Sequence, residues 1–87
     1  MQDDSLIQYP CDFPIKIIGE RRDDFTQTVL EIVTTHDPTY TSECTEVRIS
    51  SGGKYYSLTC VIRATSRMQL DALYEQLTKN PLVRLVL

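Results

Sequence analysis

Ile49-Ser50-Ser51-Gly52-Gly53-Lys54-Tyr55-Tyr56-Ser57-Leu58-Thr59-Cys60-Val61-Ile62-Arg63-Ala64-Thr65-Ser66 decides the fold. Gly52-Gly53 separates two runs with strand character, and glycine tolerates the positive φ that a two-residue primed turn demands. Such a turn fixes a register. With Ser51 opposite Lys54, Ile49 meets Tyr56, Val47 meets Leu58 and Thr45 meets Cys60. The other face pairs Arg48 with Ser57 and Glu46 with Thr59. A slip of one residue sets Ser57 and Thr59 against the aliphatics and destroys the alternation. Tyr56, Leu58, Cys60, Ile62 and Ala64 then form the core face of the longest clean strand, which belongs in the middle of a sheet.

Outward from this stretch, the same reasoning orders the chain. Ile15 to Gly19 reads as a first strand, preceded by Tyr9-Pro10-Cys11-Asp12-Phe13-Pro14, an extended segment that its prolines keep out of a sheet interior. Residues 1–9 are polar and aperiodic and read as a flexible tail, leaving 10–87 as a single domain. Asp23-Asp24 suits a helix start, where carboxylates meet free N–H groups. Phe25, Val29, Ile32, Val33 and His36 follow at helical spacing, and Asp37-Pro38 stops the helix. After the hairpin, Ser66 and Gln69 match a capping box. Leu70, Leu73, Tyr74 and Leu77 make the second helical stripe, Asn80-Pro81 ends it, and Val83–Leu87 closes the chain as a strand.

The order β-α-β-β-α-β, with right-handed crossovers, gives an α+β ferredoxin-like sandwich. Its antiparallel sheet should run 4-1-3-2 with both helices on one face. The opposite face is left open, carrying Lys16, Ile18, Arg48, Thr59, Val61, Arg63, Arg84 and Val86. This mixture is more apolar than a fully solvated surface, and it reads as an interface for a homodimer or a protein partner.

Composition narrows the function. Nine basic and twelve acidic residues give a net charge of -3, which disfavours nucleic acid or an anionic membrane as partner. No apolar run approaches the ~18 residues of a membrane span, and the acidic start lacks a signal peptide's basic and apolar regions. The expected location is the cytoplasm. Cys11, Cys44 and Cys60 are odd in number and widely spaced, so neither a disulfide framework nor a metal site follows. Cys60 reads as a small buried hydrophobe.

Catalytic chemistry finds no purchase. His36 has only Asp37 beside it, a neighbour that seldom orients a general base, and it reads as a favourable group at a helix C-terminus. Glu43, Glu46, Asp71 and Glu75 do not converge. Acylphosphatases share the size and fold class but need an arginine in the first loop plus an asparagine on the neighbouring strand region, and the only asparagine is Asn80, at the end of the second helix. No catalytic residue, metal or cofactor is expected.

Phe13-Pro14-Ile15-Lys16-Ile17-Ile18-Gly19, His36-Asp37-Pro38, Ser50 to Ser57, and Leu73-Tyr74-Glu75-Gln76-Leu77 through Val83–Leu87 resemble the YbeD family of small bacterial proteins. The resemblance covers nearly all of the chain after residue 9. It implies a fold similar to ACT regulatory domains, no catalysis, and a regulatory role with a link to lipoate metabolism. The expected activity is therefore that of a regulatory or interaction domain binding a metabolite or a partner protein. By the same likeness, the loop after the first strand is the expected ligand site, through Gly19, Arg21 and Arg22. Arginines near a helix N-terminus suit a carboxylate or phosphate; the plainer reading is that Gly19 turns the chain and the arginines pair with Asp23 and Asp24. The alternative function is RNA binding on the open face, where the aromatics that stack bases are lacking.

Overall fold

A computed structural model describes residues 8–87, and the expected tail at 1–9 lies mostly outside them. The central strand is β3, Tyr55–Ala64, whose burial alternates over Leu58, Cys60, Ile62 and Ala64. It is flanked by β1, Cys11–Glu20, and β2, Thr45–Ile49, and β4, Val83–Val86, lies outside β1. The sheet order is β2-β3-β1-β4 with every pairing antiparallel, which is the expected 4-1-3-2. Helices α1, Phe25–His36, and α2, Arg67–Lys79, place Phe25, Val29, Ile32, Val33, Leu70, Leu73 and Leu77 in one cluster with the core face of the sheet.

The hairpin register is the expected one, with Thr45 opposite Cys60, Val47 opposite Leu58 and Ile49 opposite Tyr56. Its turn differs. Only Gly53 has positive φ, at 74°, and the Gly53 N–H donates to the Ser50 carbonyl at 2.8 Å. The Ser50 N–H donates to the Tyr55 carbonyl at 2.9 Å. Four residues, 51–54, therefore bridge the strands, and a primed pair at Gly52-Gly53 is absent. The register survives because the apolar face, and not the turn, selects it.

β1 begins at Cys11, so Pro14 lies inside a strand. Lys16 exchanges both backbone hydrogen bonds with Leu87. Alternate residues aim the same way along an antiparallel strand, so the Pro14 nitrogen points toward the β4 side, beyond the end of β4. Its missing N–H costs no ladder bond. Tyr9, the last residue of the expected tail, packs against the core.

The helix ends differ in how they are held. Asp24 makes no side-chain capping bond to α1, because Arg22 engages its carboxylate at 3.2 Å. Ser66 caps α2 as expected, accepting from the Gln69 N–H at 3.0 Å. Gln69 reaches further than a capping box requires. Its Oε1 accepts from the Thr65 N–H at 2.7 Å, and its amide donates to the His36 carbonyl at 2.9 Å and the Arg63 carbonyl at 3.2 Å. One side chain thus joins the end of α1, the end of β3 and the start of α2.

Candidate functional site

The β1–α1 connection and the β2–β3 turn meet at one end of the sheet, because β1 runs antiparallel to β3 and Glu20 lies opposite Tyr55. The Arg21 N–H donates to the Lys54 carbonyl at 2.9 Å, which fastens the two loops together. Between them opens a cleft of about 440 Å³ lined by Glu20, Arg21, Gly53, Lys54 and Tyr55. The guanidinium of Arg21 reaches over the turn, with Nη1 3.9 Å from where a Gly53 Cβ would stand.

Charge at the cleft is unevenly satisfied. Arg22 is committed to Asp24, and Glu20 is paired with Arg84. Arg21 and Lys54 form no ion pair among the described residues, so the cleft offers two cations to an incoming anion. Of the three residues expected at a ligand, only Arg21 lines it. Gly19 sits on the helix side of β1, buried. A Cβ there would stand 2.2 Å from Phe25 Cε1 and 2.4 Å from the Leu82 carbonyl oxygen. Its smallness lets the Phe25 ring stack on Tyr56 with centroids 6.3 Å apart. Lys54 was legible as a partner of this loop from the strand order alone, since 4-1-3-2 places the hairpin turn beside the exit of β1.

On the open face, β1 and β3 place Lys16 opposite Thr59 and Ile18 opposite Ser57, and Val61 stands 38% exposed. Val86 requires correction. A register shift between Ile18 and Gly19 sets Leu85 opposite Ile18 and Val86 opposite Ile17. Val86 therefore packs against the core, and Leu85, 48% exposed, takes its place outside. Arg48 pairs with Glu46 at 3.1 Å and Arg84 with Glu20, so two of the four expected open-face cations already have carboxylate partners.

Asp37, at the end of α1, is the buried acid that sequence reading overlooked, at 3% exposure. Its Oδ1 accepts from the Thr39 hydroxyl at 2.6 Å and the Thr39 N–H at 3.1 Å, and its Oδ2 from the Arg63 N–H at 2.9 Å. Burial pushes its carboxyl upward, but the three donors, with the nearby Arg63 charge, prevail and hold it below its ordinary value. His36 meets the Gln76 side chain at 2.7 Å, tying α1 to α2. Burial raises the Cys60 thiol and the Tyr40 phenol, and both lie in the core. A smaller cleft of about 220 Å³ runs past Asp37, Cys44 and Arg63. Among the described residues, no group of three or more His, Cys, Asp or Glu could hold a metal ion, and no helix is long and apolar enough to cross a membrane.

Residues 4–87 match the family model described as "Protein of unknown function (DUF493)". The chain is 54% identical to the UPF0250 protein NE1487 of Nitrosomonas europaea over 87 residues, all of both chains. It is 52% identical to the UPF0250 protein RSc0326 of Ralstonia nicotianae over 84 residues, covering 97% of this chain and 87% of that one. The solution structure of protein HP0495 from H. pylori is similar with a TM-score of 0.72 at 19% identity, over 93% of this chain and 85% of that chain. The ACT domain from GTP pyrophosphokinase of Chlorobium tepidum is similar with a TM-score of 0.59 at 20% identity, over 88% and 97%. At such identities the structural likeness establishes the fold alone.

Proposed function

Because the chain belongs to the DUF493 family, whose UPF0250 members are the YbeD family that its residues resemble, we propose a non-catalytic regulatory domain of ACT-like architecture. It takes a small anionic metabolite in the cleft between the β1–α1 connection and the β2–β3 turn. The observation that carries this reading is the pair Arg21 and Lys54, brought to one cleft by a backbone hydrogen bond and, among the described residues, in no ion pair with a carboxylate. A guanidinium fork and an ammonium point charge together suit a carboxylate or phosphate. Two or three charge-assisted hydrogen bonds, at about 1.5–3 kcal/mol each and reduced by an association cost of about 4 kcal/mol or more, place affinity on the order of millimolar. That range lets a metabolite bind and leave as its concentration changes.

Isothermal titration with inorganic phosphate, free amino acids and lipoate tests the reading. Lipoate comes first among carboxylates because of the metabolic link that the family resemblance implies. Changing Arg21 and Lys54 together to alanine should weaken binding at least about tenfold, and added salt should weaken it in the native protein. Equal affinity in the double variant would remove the cleft from consideration.

A second reading, a protein partner on the open face, is favoured by Ile18 and Leu85 standing opposite one another with Val61 exposed nearby. Val61→Glu should leave the fold intact and abolish capture of such a partner. RNA on the same face has less to draw on, since Arg48 and Arg84 already face carboxylates.

A further inference from the structure

β2 is an edge strand, and its outer side is unlike a solvated edge. The Ser50 N–H bonds toward β3. By alternation, Glu46 and Arg48 also direct their backbone groups at β3, and Thr45, Val47 and Ile49 direct theirs outward. Val47 and Ile49 lie on the helix side of the sheet, opposite Leu58 and Tyr56. Among the described residues no helix covers them, and they are 48% and 53% exposed. Glu46 and Arg48 lie on the open side, paired with one another along the strand.

We propose that β2 is the docking edge for a second copy of this chain, the two strands running antiparallel about a twofold axis at Val47. The sequence of the strand favours this occupant because it is complementary to itself in that register. With Val47 opposite Val47 of the second copy, Thr45 falls opposite Ile49 and Glu46 falls opposite Arg48. Each outward N–H and C=O of Thr45, Val47 and Ile49 gains a partner. The exposed aliphatics cover one another on the helix side, and four charges alternate in sign on the open side. A shift by one residue would lose this, setting Val47 against Glu46 or Arg48 and placing backbone groups out of phase. The interface leaves the open face and the Arg21–Lys54 cleft uncovered, so it stands independently of the proposed metabolite site.

Sedimentation velocity over a concentration series reaching the millimolar range, with far-UV circular dichroism confirming the fold, tests it. The native chain should dimerise. Glu46→Arg and Arg48→Glu should each weaken the dimer about tenfold or more, because each sets like charges face to face. The two variants mixed should form a heterodimer, since every facing pair is again opposite in sign, and the chain carrying both changes should dimerise like the native one. A native chain that stays monomeric, single reversals without effect, or no rescue on mixing would each overturn the proposal. So would loss of the dimer in Val61→Glu with the β2 reversals silent, which would transfer the interface to the open face.

Discussion

Gly19 and Asp37 show how much one position can hold. A Cβ on Gly19 meets a ring that can shift and a backbone carbonyl that cannot. Gly19→Ala should therefore destabilise the domain by about 1–3 kcal/mol, read as a lower midpoint in chemical denaturation, with Phe25 displaced from Tyr56. Asp37→Asn sets an amide N–H₂ or a carbonyl against three donors it cannot all satisfy, and should cost about 1–3 kcal/mol at neutral pH. The sign with pH follows from the lowered carboxyl. A folded value below the ordinary 3.8 means the unfolded chain binds the proton more readily. The stabilisation is present in full above that ordinary value and is lost as pH falls through the folded one. Denaturation midpoints of the native chain and Asp37→Asn should converge in acid and separate near neutrality. Neither role was legible in sequence. Gly19 was read as a turn residue because a close approach from Leu82, sixty-three positions away, leaves no local pattern, and Asp37 reads as an ordinary helix stop.

Elements were far more legible, because periodicity is local and strong. The alternation from Tyr56 to Ala64 placed β3, and the stripes Phe25–Val33 and Leu70–Leu77 placed both helices. What failed at this scale was turn and edge chemistry. Gly52-Gly53 suggested a primed pair, yet Gly53 alone adopts the left-handed region. Gly53→Ala should cost about 1 kcal/mol, while Gly52→Ala, with nothing within 4 Å of its added methyl, should leave thermal stability nearly unchanged. A true two-residue turn would punish both. The last strand was misread at Val86 for a similar reason: the irregularity between Ile18 and Gly19 reverses which residues face outward, and a four-residue strand carries too few alternations to reveal it.

Across the whole molecule, strand order turns separate loops into a site. Because β1 and β3 are antiparallel neighbours, the exit of β1 and the entry of β3 converge, and Arg21 and Lys54, thirty-three residues apart, flank one cleft. Sequence reading reached Arg21 through its neighbours along the chain and missed Lys54, which becomes its neighbour only on folding. The same topology leaves the open face and the β2 edge uncovered, giving an 87-residue chain three separate surfaces. The claim on which the proposed function depends is that the cleft takes an anion. Amide chemical shifts of the isotopically labelled protein, followed during titration with lipoate and with phosphate, test it most directly. Saturable shifts clustered at Glu20–Arg22 and Ser51–Tyr55 are predicted, while the absence of saturable shifts, or shifts centred on another surface, would contradict it.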